Sequence, residues 1–312
     1  MSSPAPLAVL SYNICFEAMT NRSGGTAGAL GAQCPGPRDE NNKLTGLTTC
    51  GQRTAAAIDA MPSAMGVSGF DIVGLQEASH WRWLQAAATG TLAKMQAVNS
   101  KAHWTEMVTF YDGSVFTLAH PPVLGSFDYL SGDPPAKERP FQILVLRRTG
   151  TAEGVIFANC HCPHGWDHNS HGESFYDFGT VARDLGEALA AVPLTDAEKA
   201  YRLVLLGDFN ETGQRGRQVV PWKPFAKAGI ETTVSMDTTP FTSPPADPQN
   251  GLNTCCEGGG QWTSSSGALL SGSPGGGDFI FDSHAPAQTH IPKLPPTDFD
   301  RTSDHLPVVA TL

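Results

Sequence analysis

Six short stretches of this chain place, at the ends of apolar runs, residues that can bind a cation or move a proton. They are "SYNI" with Asn13, "GLQE" with Glu77, "NCHCPH" with His161 and His164, "LLGDFN" with Asp208 and Asn210, "GDFIFDS" with Asp278, and "SDHLPV" with Asp304 and His305. In "LLGDFN" a carboxylate and a carboxamide stand two apart at the end of a strand-like run, so strand alternation puts Asp208 and Asn210 on one face. Oxygen donors of this kind suit a hard divalent cation, and a bound cation can draw a phosphate to an acidic surface. Each residue taken singly has an ordinary structural reading. Asp, Asn and Gly make turns where strands end. Glu77 could cap the next helix, His161 could be a satisfied core histidine, and Asp278 follows three glycines as a turn residue would. Taken together, they are a set able to hold a metal and a phosphate.

The elements that must position these residues are readable from pattern. Strand character runs through 7–16, 70–79, 139–148, 154–162 and 202–207, with shorter strands around 104–111, 114–119 and 230–236. "DFIFDS" and "SDHLPVVATL" close the chain as two more strands. Residues 174–192 have a helical apolar period, 52–61 read as a short helix, 80–98 as a helix broken near Gly90, and 216–228 as a further short helix. Long loops are expected at 20–51 and 237–277. Many strands with intervening helices imply a two-sheet core with helices outside. The sequence shows no internal repeat and no linker, so a single domain over residues 1–312 is expected.

Composition narrows the function. The chain is 40% apolar and 16% charged, with 33 Gly and 24 Pro, which is globular composition rich in loops. A net charge of −10 disfavours tight nonspecific binding to nucleic acid or anionic membrane. No apolar run approaches the ~18 residues of a membrane span, and "MSSPAPLAVLSYNICF" lacks the basic start of a signal peptide. None of the seven cysteines forms a CxxC pair. His161, His164, His168 and His171 lie near Cys160 and Cys162, but in no common structural zinc pattern, so a separate zinc site is not expected. Cys34 and Cys50 bracket a loop and could be bridged. The compartment stays open, with the loop composition leaning towards life outside the cytoplasm.

In their order and spacing the six stretches resemble the endonuclease/exonuclease/phosphatase superfamily, the fold of deoxyribonuclease I and the apurinic endonucleases. The resemblance extends from residue 7 to the C-terminus. It implies an α/β four-layer sandwich: two mostly antiparallel sheets face to face, helices outside, and a site where strand ends of both sheets meet. It implies a cation, Mg²⁺ first, with Mn²⁺ or Ca²⁺ as alternatives. Glu77 is the leading ligand with Asn13 and Asp304 near it, and Asp208 and Asn210 either form a second metal position or orient water and phosphate. His305 is expected as general base, acting on water directly or paired with Asp304 or another carboxylate. His161 is expected to bond the phosphate or to serve the leaving group as an acid. Asp278 would brace a catalytic histidine, either one. Arg139 matches a phosphate-contacting arginine of the deoxyribonuclease I branch, the alternative being an exposed edge-strand arginine. His164 is expected to face the same cleft.

The resemblance also ranks the activities. A metal-dependent nuclease or general phosphodiesterase comes first, and a phosphomonoesterase for small esters second. A sphingomyelinase-like enzyme would want an exposed apolar hairpin, for which only "WKPF" at 222–225 offers itself. A non-enzymatic binding module would be expected to lack one of Glu77, Asp208 or His305, and all three are present. The partner implied is a phosphoester substrate; no stable protein partner is.

Overall fold

The computed structural model describes residues 6–23, 28–102, 105–127, 139–163, 178–210, 219–220, 223–230, 236–237, 278–283, 289–290, 303, 305 and 307–312. Within them two six-stranded sheets pack face to face. The first has the order β13 (Thr289–His290), β14 (Val308–Thr311), β1 (Ala8–Asn13), β2 (Ile72–Gln76), β4 (Thr105–Tyr111) and β3 (Gln96–Ala102). The second has the order β12 (Asp278–Asp282), β9 (Arg202–Asp208), β8 (Gly154–His161), β7 (Arg139–Arg148) and β5 (Phe116–Leu118), with β6 (Val123–Phe127) also on β7. These ladders are antiparallel except for β1–β2 and β8–β9. A parallel pair needs a crossover; α3 (Thr49–Met65) lies between β1 and β2, and α6 (Phe178–Ala190) between β8 and β9.

Strand alternation sorts the side chains into layers. Leu10, Tyr12, Val73, Leu75 and Phe110 pack against Ile58 and Met61 of α3. Ile156, Leu203 and Leu205 pack against Val181, Leu185 and Leu189 of α6, which recur at helical spacing. Val9, Ile72, Leu144, Phe157, Leu206, Ile280 and Val308 fill the space between the sheets. The expected four layers are therefore present. Among the described residues no helix is long and apolar enough to cross a membrane.

Several local expectations change. Residues 96–98, read as a helix tail, open β3, because pairing with β4 along the whole strand outweighs the helical preference of Gln96 and Ala97. The helix read as 52–61 is α3, capped by Thr48, whose hydroxyl accepts from Gly51 N at 3.0 Å, and ended at Gly66. The 20–51 stretch is not wholly loop: it holds α2 (Gly28–Ala32) and a Cys34–Cys50 disulfide. In the region read as a helix near 216–228, the described helix is a 3-10 turn, Lys223–Ala228. Its Phe225 is buried under α6, so "WKPF" does not offer that ring to a membrane. The strand expected near 230–236 is described as Met236–Asp237. Residues 238–277 lie outside the described residues.

Candidate active site

Both parallel pairs end at the same end of the sandwich, and there the space between the sheets turns polar. Gly207 makes the approach of β9 to β8 possible. Its φ is 144°, and a Cβ on it would stand 1.9 Å from Cys160 O. Asp208 follows. Its Oδ1 accepts from Asn210 N at 2.9 Å, while Asn210 takes φ 50° and sends Nδ2 to Cys162 O at 2.7 Å. Turn chemistry is thus present at "GDFN", and it aims the other carboxylate oxygen at the site. Asp208 Oδ2 accepts from Asn13 Nδ2 at 2.9 Å, and lies 3.6 Å from His161 Nε2 and 3.8 Å from His305 Nε2.

Glu77 comes from the other sheet. It stands just past β2 with φ 54°. It does not cap the next helix, α4 (Trp81–Ala87), whose N-cap is His80. Instead Oε2 accepts from Phe16 N at 2.7 Å, and Oε1 lies 3.7 Å from His161 Nε2 and 4.0 Å from Arg139 Nη1. Arg139 Nη1 also donates to the His161 ring at Nε2. Arg139 is drawn into the cluster, and its side chain is not that of an exposed edge-strand residue.

His305 is held from two sides. Its Nδ1 bonds Asp278 Oδ2 at 2.9 Å, so the brace falls on His305. Its backbone N–H donates to Ser303 Oγ at 3.1 Å, and that hydroxyl donates to Asn13 O at 2.7 Å. Ser303 had no role in the sequence reading, although it opens "SDHLPV"; a hydroxyl beside two chemical residues was the available signal. Asp208, Asp278 and His305 offer ligand atoms within 4.8 Å of one another, close enough to share an ion. The Asp278–His305 bond already occupies two of them.

Asn13, His161, Asp208, Asn210, Asp278 and His305 are all buried. Asp304 and His164 lie outside the described residues. Cys160 and Cys162 sit in the core against α6, not in the polar mouth. Burial raises the Cys162 thiol well above its ordinary pKa, and a bond with Cys160 adds to the effect.

No protein-family model matches the sequence, and no curated protein matches it. Solved structures do match over nearly the whole chain. An endonuclease/exonuclease/phosphatase family protein from Bacteroides thetaiotaomicron is 17% identical with a TM-score of 0.53, covering 99% of this chain and 98% of its own. One described as the endonuclease/exonuclease/phosphatase from Bacteroides vulgatus is 14% identical with a TM-score of 0.55, over 99% and 98%. The mannosyl-6-phosphatase of Bacteroides thetaiotaomicron is 16% identical with a TM-score of 0.52, over 97% and 98%. At these identities the likeness is one of fold.

Proposed function

We propose that this chain, which has the fold of the endonuclease/exonuclease/phosphatase proteins, is a divalent-metal-dependent phosphoester hydrolase, with phosphodiesters as its first substrate class. One observation carries the reading: the Asp278–His305–Asp208 line meets Glu77, His161 and Arg139 in one polar mouth.

The donor set fits a hard cation. Glu77 and Asp208 supply carboxylates, and Asn13 and Asn210 carboxamides, while the nearby thiols lie in the core against α6. Glu77 would hold the ion, with Asn13 and Asp304 beside it, while Asp208 and Asn210 would form a second metal position or orient water and phosphate; Mg²⁺ suits such a site, and Mn²⁺ or Ca²⁺ are the alternatives. When bound, the ion relieves charge on the phosphoryl oxygens as a Lewis acid. Every other part falls to the chain. With Nδ1–H held by Asp278, His305 presents Nε2 as a proton acceptor for the attacking water. Arg139 offers a guanidinium fork to two phosphate oxygens. Once a phosphate draws Arg139 from the His161 ring, His161 would bond the phosphate or serve the leaving oxygen as an acid. Asn13 keeps Asp208 Oδ2 oriented, and its own oxygen retains a second lone pair after accepting from Cys15 N. The Cys34–Cys50 bridge supports a life in an oxidising compartment.

A small phosphomonoester is the second reading, supported by the likeness to a mannosyl-6-phosphatase and by an acidic chain poorly suited to polyanions. One panel separates the two. Plasmid DNA, RNA, bis-p-nitrophenyl phosphate, p-nitrophenyl phosphate and mannose 6-phosphate are incubated with Mg²⁺, Mn²⁺, Ca²⁺ or EDTA. Cleavage of a diester is expected, abolished by EDTA and lowered about 10²- to 10⁴-fold in His305→Ala. Release from monoesters alone selects the second reading. Activity that survives EDTA and the His305 change sinks both.

A further inference from the structure

Two buried amides join the sheets directly behind the site. Gln76 Nε2 donates to Asn159 Oδ1 at 2.7 Å, and both residues are fully buried. Gln76 is the residue before Glu77. Asn159 lies two before His161 on β8 and so shares its face. The amide of Asn159 is oriented by its own donors: Nδ2 bonds Val108 O and Thr109 Oγ1, each at 3.2 Å. Thr109 passes the row on to Gln142 Oε1 at 2.7 Å. Gln142 Nε2 ends it on Val98 O at 3.1 Å and on Met107 O and Ser100 Oγ at 3.2 Å. The row runs β2, β8, β4, β7, β3, crossing between the sheets at each link.

Such a row is an expensive way to gain stability. Each buried polar group is costly when unpaired, and its bond does little more than offset that cost. What bonds add over apolar contacts is direction. Direction matters here because the site is divided. One sheet supplies Asn13 and Glu77; the other supplies Arg139, His161, Asp208 and Asp278. Glu77 also holds a left-handed backbone, which persists only where its surroundings hold it.

We propose that the Gln76–Asn159 bond is a positioning device: it fixes Glu77 on one sheet relative to His161 and Asp208 on the other, and through that spacing sets the affinity of the site for its cation. The inference rests on the metal-dependent reading above. Gln76 and Asn159 touch neither ion nor substrate in this account; they act through Glu77 and His161.

The test is Mn²⁺ binding by calorimetry without substrate, counting only the part that Glu77→Gln removes. Three variants are compared, each with its melting temperature. Gln76→Met keeps the length of the side chain and removes the donor. Asn159→Leu removes the acceptor. Gln142→Met breaks the same row away from the site. Gln76→Met and Asn159→Leu are expected to weaken Glu77-dependent binding about tenfold or more, the effect usual for groups that orient a metal ligand. Gln142→Met is expected to melt lower and to keep the unmodified affinity. Equal weakening in all three, or none in the first two, overturns the proposal and makes the row packing. Equal Mn²⁺ binding by the unmodified chain and Glu77→Gln overturns the metal reading itself, and the inference with it. Should Asn159→Leu fail to fold, Gln76→Met against Gln142→Met decides alone.

Discussion

The space between the sheets has two ends, lined by the same strands and built of opposite materials. On β9, Val204 and Leu206 lead to Asp208; on β8, Val155 and Phe157 lead to Asn159 and His161; on β1, Val9 leads to Ser11 and Asn13. All of them are buried, so burial does not tell the ends apart. What differs is how each end is held. The apolar end gains stability from area removed from water, about 25 cal/mol per Å², without regard to direction. The polar end gains nothing from burial unless each group meets a partner at the right angle. One strand can therefore serve folding along most of its length and chemistry at its last turn of alternation. A change at one end should register mainly as stability, and at the other mainly as rate.

The sharpest way to break that contrast is to damage each end with one substitution. Phe157→Ala empties a fully buried ring site in the apolar layer. It should cost about 3–5 kcal/mol of stability and leave the rate per folded molecule unchanged. Asp278→Asn keeps the shape and removes the carboxylate charge that braces His305 Nδ1. It should slow turnover about 10²- to 10⁴-fold with a much smaller change in a urea melt. A rate per folded molecule that falls equally in both variants would mean the ends are not separable.

Gly74 sits on the boundary, so it should show both effects at lower amplitude. A Cβ there would stand 2.4 Å from Leu206 Cδ1 and 3.1 Å from Asn159 Cγ. Gly74→Ala should destabilise by about 1–3 kcal/mol through overpacking and slow turnover several-fold, an order-of-magnitude expectation for a displaced supporting side chain. Adding Leu206→Val opens room on the apolar side only. Recovery of the melting temperature without recovery of rate would assign the rate loss to Asn159; recovery of both would assign it to packing.

How much of this was legible beforehand follows the same division. The apolar alternation of β8 and β9 and the polar residues closing them are local patterns, so the layers and the strand ends carrying His161, Asp208 and Asn210 could be read from residue types. Contacts between distant segments could not. Which histidine Asp278 braces depends on the register of β12 against β9, where Asp278 lies opposite Asp208. Nothing in "RPFQILVLRR" says that Arg139 reaches His161, because that depends on where β8 ends beside β7. Gln76 and Asn159 were in view within "GLQE" and "NCHC", yet an amide in an apolar run shows its use only once its partner on the other sheet is known. β3 was misread for a related reason: an edge strand takes its conformation from its neighbour, here β4, more than from its own residues.

The smallest expected effect concerns a carboxylate that serves structure alone. Glu198 closes a capping box in α7 (Asp196–Lys199), just before β9 begins and far along that strand from Asp208. Its Oε2 accepts from Thr195 N at 2.8 Å and bonds His120 Nε2 at 3.0 Å. Burial alone would raise its pKa, but the bonds from His120 and Thr195 outweigh that and leave it lowered. A carboxyl whose folded pKa is depressed stabilises the fold above its unfolded pKa and loses that contribution as pH falls through the folded value. Glu198→Gln should therefore cost about 1 kcal/mol near pH 7, the scale of a lost helix cap. The difference from the unmodified chain should fade below about pH 4, where the unfolded carboxyl is protonated. Turnover per folded molecule should not move. Urea melts at several pH values check the first part, and a rate loss in Glu198→Gln at neutral pH would contradict the second, since this carboxylate lies at the end of β9 that holds the fold rather than the end that holds His161 and His305.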